Sequence, residues 1–501
     1  AHAANGMGCV LADDMGLGKT LQAIALLLHL KGTRSPWTAA LVVVPSSLMY
    51  NWRREMQRFA PTLRVMLYHG ADRGAALKKL LEAGGSRGCV TPAGDRPAAK
   101  RQRVAAAPVD VVLTSYGTLK AEAKSFVGDQ GWSCVIVDEA QTIKNPNAQI
   151  TRTVKALKAP VRVALSGTPI ENKLSELHSI FDYAIPGLLG PLKEFSRQYG
   201  KAIEQRQDEA KLHQLRRLTA PFLLRRLKTD KAIIADLPDK VAIDEYAALS
   251  AAQAAMYQAV VDNTLDTLAA ARDDPDPLKR KESRGLVLSL ISALKQICNH
   301  PANYKREGAA HAADRVEDSG KMTLLMDLLE PIVAAGDKVL IFSQYARMCQ
   351  LLQQMLQRSA LGVRPLVYEG SMSQKQRDHV VRRFASDPSA QVLILSLKAG
   401  GVGLNLTQAN HVIHYDLWWN PQVEAQATDR AFRIGQAKNV FVHRLVTRGT
   451  FEEKINAMMQ RKRELAELTV ASGESWLGDL SSDELKDLFA LSSDLTQADG
   501  P

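Results

Sequence analysis

The chain lacks the long apolar run that a membrane crossing needs. Nowhere does it approach the roughly 20 consecutive apolar residues of a spanning helix. It also lacks the charged start and apolar stretch of a secretory signal. Cysteine is scarce. The five present, Cys9, Cys89, Cys134, Cys298 and Cys349, are scattered and odd in number, and no C-x-x-C occurs. This argues against a zinc site and a disulfide framework, and it fits a reducing cytoplasm. No short internal repeat is visible.

What is present points elsewhere. At about 150 residues per domain, a 501-residue chain suggests roughly three domains or lobes. Hydrophobic residues make up 46%, enough to build cores. Lys and Arg number 64 against 53 Asp and Glu, a net charge of +11. Such a balance favours an anionic partner, with nucleic acid the first candidate.

The chain is organised around residues 11–20, Leu-Ala-Asp-Asp-Met-Gly-Leu-Gly-Lys-Thr. A short apolar run ending at Val10 precedes them and an apolar helix pattern follows. Strand, glycine-rich turn, Lys-Thr and helix make a phosphate-cradling loop. Glycines let the backbone curl so that its N–H groups face phosphate oxygens. Lys19 supplies a point charge to the terminal phosphates, and the Thr20 hydroxyl suits Mg²⁺. One position departs from the usual pattern: Asp13 stands where G-x-x-x-x-G-K-T has its first glycine.

Further strands are expected at 41–45, 64–68, 109–116, 134–137 and 161–165, with a helix from Ser46 through Phe59. The run 134–137 ends in Asp138 and Glu139, which places two carboxylates at the carboxyl edge of a sheet, where open α/β sheets bind ligands. Asp138 is suited to Mg²⁺, and Glu139 to orienting and deprotonating a water. Ser166, Gly167 and Thr168 form a small turn at another strand end. Residues 82–108, rich in Gly, Ala, Pro and basic residues, read as a flexible surface insertion. From 174 to about 310 the pattern is mostly helical. Within it, 191–231 holds eleven basic and five acidic residues, with Arg216-Arg217 and Arg225-Arg226 paired. That reads either as a helical protrusion touching a phosphate backbone or as a solvated face. A second α/β alternation begins at 337 and runs to the strand at 412–415 and a helix at 426–433. The last thirty residues are acidic and Ser-rich, a docking segment or a packed tail.

In order along the chain, LADDMGLGKT, VVPSSLMYNW, VIVDEAQTIKNP, ALSGTPIENKL, FLLRRLKTD, LKQICNHP, KVLIFSQY, the run from SLKAGGVGLNLT to YDLWWNP, and QATDRAFRIGQ resemble the Swi/Snf-type ATPases of helicase superfamily two. LKQICNHP and RAFRIGQ separate that family from DEAD-box RNA helicases, and the DEAQ form is similar to bacterial members. The resemblance implies an α/β fold of two RecA-like parallel-sheet lobes. Lobe 1 spans 1–190, helical protrusions 191–318, lobe 2 319–460 and a helical tail 461–501. ATP with Mg²⁺ lies between the lobes and double-stranded DNA across both. Asp14, Met15, Gly16, Leu17, Gly18, Lys19, Thr20 and Gln426 contact ATP, and Thr20 and Asp138 serve the metal. Gln141, Ser166, Gly167 and Thr168 couple nucleotide to DNA. Glu139 is the catalytic base, and Arg430 or Arg433 the arginine finger. Ser115, Asn172, Ser343, Gln344, Lys398 and Trp418 face DNA.

The activity so implied is a DNA-dependent ATPase, a double-stranded-DNA translocase working as a monomer at a bacterial nucleoid. Its obstacle is left open between RNA polymerase and another DNA-bound protein, and no membrane partner is expected. A strand-separating helicase and a non-catalytic DNA scaffold are the alternatives. The resemblance further expects an adenine-reading glutamine segment upstream of the phosphate loop, but only nine residues precede Val10. The chain as given is therefore expected to bind ATP more weakly than an extended one and to discriminate poorly between ATP and GTP.

Overall fold

The computed structural model describes residues 7–69, 109–127, 131–167, 173–206, 208–228, 230, 232–233, 236–272, 277–309, 314–396, 404–418, 420–465 and 482–492. The expected insertion at 82–108, and Thr168, Asn172 and Lys398, lie outside them. The chain divides into two units, Ala1–Ile233 and Ile234–Pro501. The mostly helical stretch is thus shared between the units.

The first unit is built on seven strands: β1 (Cys9–Leu11), β2 (Ala40–Val44), β3 (Val65–Tyr68), β4 (Val111–Ser115), β5 (Cys134–Val137), β6 (Arg162–Leu165) and β7 (Leu223–Leu224). They lie in the order β3-β4-β2-β5-β6-β1-β7, and every pairing is parallel. Every residue of β2, β4 and β5 is buried, as befits parallel strands covered on both faces. Helix α1 (Lys19–Thr33) buries Ala23, Ile24, Leu27 and Leu30, one stripe at helical spacing. Helix α2 (Met49–Phe59) does the same with Met49, Trp52 and Met56. Because all strands run one way, the ends of β1, β5 and β6 share the sheet's carboxyl edge.

The second unit holds β8 (Lys240–Ala247), β9 (Val339–Ser343), β10 (Leu366–Tyr368), β11 (Val392–Ser396), β12 (His411–His414) and β13 (Val440–Thr447). They lie in the order β10-β11-β9-β12-β13-β8 and are again all parallel. Side chains alternate across this sheet. Val339 and Ile341 pack with Leu325, Leu352 and Met355, while Leu340 and Phe342 pack with Phe384 and Phe432. A third cluster joins Tyr257 and Leu294 to Phe451, Ile455, Leu485 and Phe489. The acidic tail's helix Ser482–Phe489 is therefore packed into this unit. A buried ion pair, Lys321 to Glu452 at 2.8 Å, ties the helices that start at Gly320 and Phe451. Among the described residues no helix is long and apolar enough to cross a membrane.

Candidate nucleotide site and the second-unit arginines

The phosphate loop leaves β1 and turns through two left-handed glycines, Gly16 at φ 87° and Gly18 at φ 74°. Gly18 stands at the N-cap of α1. A Cβ there would meet no neighbour, so backbone conformation alone demands glycine. Lys19 folds back over the loop and donates to the carbonyls of Asp13 (2.6 Å) and Asp14 (3.1 Å). Burial lowers its pKa, and the carboxylates of Glu139, Asp138, Asp13 and Asp14 act against that shift. Thr20 is half-buried in the first turn of α1. Met15 reaches the turn after β6: a Cβ on Gly167 would come within 2.8 Å of Met15 Cγ.

Asp13 is not a stand-in for a glycine. Its side chain is wholly buried and accepts from Arg226 at 2.5 Å and from Gln22 at 3.2 Å. Burial would raise its pKa, yet the hydrogen bonds from Arg226 and Gln22 hold it below the ordinary value. Arg226 belongs to the basic segment expected either to touch DNA phosphate or to be solvated. Its guanidinium instead pairs within the first unit.

At the end of β5, Asp138 is buried, and both its oxygens are engaged. Trp52 Nε1 donates to Oδ2 at 2.8 Å, and the Glu139 N–H donates to Oδ1 at 2.9 Å. Desolvation, then the neighbouring Glu139 charge, pushes the Asp138 carboxyl up to about 7. Glu139 adopts φ 51°, unusual for a residue with a Cβ and a conformation that recurs at functional sites. Gln141 Nε2 donates to Glu139 Oε2 at 2.7 Å, and Ser166 Oγ donates to Gln141 Oε1 at 3.0 Å. A continuous hydrogen-bonded chain therefore links the end of β6 to the carboxylate after β5. A hydroxyl, a desolvated carboxylate and an ammonium at one sheet edge suit a triphosphate with a hard divalent cation. Thr20 and Asp138 fit Mg²⁺ by donor type, a hydroxyl and a carboxylate at one sheet edge.

Ser115 is buried and caps the helix Tyr116–Ala121, accepting from the Thr118 N–H at 3.2 Å. In the second unit Ser343 is also buried and donates to Asp416 Oδ2 at 2.5 Å. The Gln344 N–H donates to Asp416 Oδ1 at 2.9 Å, and its side-chain amide to the Leu417 carbonyl at 2.6 Å. These hydroxyls, expected to face DNA, have partners inside their own units. LKQICNHP acquires a structural account here. Asn299 donates to Asp416 at 2.9 Å, Lys295 to the Leu417 carbonyl at 3.0 Å, and His300 caps the Pro301–Lys305 helix.

Gln426 is half-buried on the helix Pro421–Thr428, which Asn420 caps. On the same helix Glu424 accepts from the Trp418 N–H at 2.8 Å and from Arg444 at 3.0 Å. Trp418 is half-buried against the cluster around Phe342. Arg430 is buried, and its carbonyl accepts from the Leu406 N–H at 2.9 Å. Arg433 donates to the Leu404 carbonyl at 3.1 Å. The first unit thus gathers Lys19, Asp138, Glu139, Gln141 and Ser166, while the second carries Gln426, Arg430 and Arg433 on one continuous stretch. Trp52, Arg226 and Asp416 are site-supporting residues whose types alone announced nothing.

The SNF2-related domain matches residues 1–303 and the helicase conserved C-terminal domain residues 320–435. This chain belongs to the SNF2-related family, and each of its two units is built on a parallel sheet. A Bacillus subtilis protein named as an ATP-dependent helicase/translocase, YwqA, is 43% identical over 98% of this chain and 49% of its own length. The Zorya protein ZorD of Escherichia coli O139:H28 is 37% identical over 92% of this chain and 42% of its own. The chain therefore spans about half or less of the curated relatives it matches. The SWI2/SNF2 ATPase core of Sulfolobus solfataricus in complex with dsDNA is 38% identical, covering 98% of this chain and 94% of that one, with a TM-score of 0.44.

Proposed function

We propose that this chain is the motor of an ATP-driven translocase on double-stranded DNA that displaces or remodels DNA-bound protein. The observation that carries the reading is the hydrogen-bonded chain Ser166–Gln141–Glu139 beside Lys19 and Asp138. A static phosphate-binding module has no use for a relay into its carboxylate. A motor does, because the relay gives occupancy of the turn after β6 a route to the residue that handles water.

In this reading Lys19 leaves the loop carbonyls for the stronger acceptors of the terminal phosphates. Thr20 and Asp138 hold Mg²⁺, which neutralises phosphate charge. Glu139 orients the attacking water and takes its proton. Arg430 and Arg433 stabilise the charge that spreads over the transferring phosphoryl oxygens, since a guanidinium stays charged and is planar. Double-stranded DNA as the track is supported by the +11 charge and by a relative solved with dsDNA. Remodelling of a nucleoprotein, RNA polymerase or another, rests on family membership.

Phosphate release measured with and without duplex DNA tests the proposal. DNA is expected to raise the rate, and the logarithm of its apparent binding constant to fall with log salt at roughly −0.9 per neutralised phosphate. A rate indifferent to DNA at low and moderate salt contradicts it.

A further inference from the structure

Two features of the sequence stand apart from the catalytic set: an aspartate at the loop's usual first-glycine position, and an arginine pair some two hundred residues later. The structure joins them. Residues 224–228 continue from β7 as a strap along the phosphate loop. The Ala12 N–H donates to the Leu224 carbonyl at 2.7 Å and the Asp14 N–H to the Arg226 carbonyl at 3.0 Å. In return the Arg226 N–H donates to Asp13 Oδ1 at 3.0 Å and the Lys228 N–H to Asp14 Oδ2 at 3.1 Å. The Arg226 side chain closes the arrangement. Its Nε lies 3.2 and 3.1 Å from the two Asp13 oxygens, and its Nη2 donates to Oδ2 at 2.5 Å and to Gln22 Oε1 at 2.8 Å. Gln22 then donates to Asp13 and, at 3.0 Å, to the Leu17 carbonyl inside the loop.

We infer that Arg226 is a positioning residue for the nucleotide: through Asp13 and Gln22 it holds the phosphate loop in the shape that receives phosphate. The inference rests on the nucleotide-site reading above. Its logic is geometric. A loop turning through two left-handed glycines has little intrinsic stiffness, and loop N–H groups bind phosphate well only if their directions are fixed beforehand. A first glycine would leave that end of the loop unrestrained. A buried aspartate bound by a forked guanidinium restrains it through its own side chain. The same strap ends a few residues before Ile234, where the second unit begins.

Asp13→Asn is the variant of choice, because it leaves no buried unpaired charge and Arg226 is partly exposed. Arg226→Gln and the double variant accompany it. Steady-state ATP hydrolysis of the full chain with Mg²⁺ is the assay, and thermal melting without nucleotide monitors folding. Each single variant is expected to raise KM for ATP about tenfold or more, as loss of a charge-assisted buried bond would, with a smaller change in kcat. The double variant is expected to be no worse than the singles, since both remove one clamp. Unchanged KM, a fall confined to kcat, or additive losses in the double variant overturn the inference while leaving the nucleotide site standing. A wild-type chain that neither binds nor hydrolyses ATP overturns the site reading and this inference together.

Discussion

Glu139 holds its carboxylate where an L-residue is uncomfortable, at φ 51°, with its N–H turned onto Asp138 and its side chain held by Gln141. A left-handed conformation at a residue with a Cβ recurs at functional sites, which accords with the base role proposed for Glu139. Glu139→Gln keeps size and hydrogen-bonding capacity but cannot take a proton. It is expected to retain ATP binding in a titration and to lose turnover by about 10²- to 10⁴-fold. Near-normal phosphate release would remove Glu139 from the chemistry. Residue types at element ends made this set readable: Asp138, Glu139 and Ser166 stand where an apolar strand stops, and Lys19 and Thr20 where a glycine turn opens an apolar helix. Their supports were not readable in that way. Trp52 meets Asp138 across 86 residues and Arg226 meets Asp13 across 213, and no local pattern encodes a contact at such separation. Asp13 looked like a defect in the loop because its partner was out of view.

Among the elements, the strands read most clearly were the buried parallel ones, whose unbroken Val, Ile and Leu runs have few other interpretations. β7 and β8 fell within a stretch that read as helical. β7 is two residues long, too short to show a period, and β8 is an edge strand whose first four residues are exposed, so it lacks the unbroken apolar run of a buried strand. Away from the site, Asp110 pins three elements of the first unit. It accepts from Lys31 in the last turn of α1 at 2.9 Å and from Arg64, just before β3, through backbone and side chain at 2.9–3.0 Å. Its own carbonyl meets the Ala40 N–H of β2 at 2.9 Å. Burial opposes the shift, but the bonds from Arg64 and Lys31 bring the Asp110 carboxyl down from 3.8 to about 2. A carboxyl held low contributes stability above its unfolded value, and that contribution is lost as pH falls through the folded one. Asp110→Asn should therefore unfold at lower urea than the wild type at neutral pH, with the gap closing between about pH 4 and pH 2. A gap unchanged over that range would mean that the ion pairs carry no stability.

On the scale of the whole molecule, two parallel-sheet units, a phosphate loop with its relay, and a stretch bearing two arginines belong to one family and one proposed cycle. Net charge and family membership point that cycle at DNA. Displacement of a triplex-forming third strand from duplex DNA tests this most directly, run beside a strand-separation assay on the same duplex. The account predicts ATP-dependent release of the third strand, abolished in Lys19→Ala, with the duplex itself left intact. ATP hydrolysis without triplex release, or separation of the duplex strands, would contradict it.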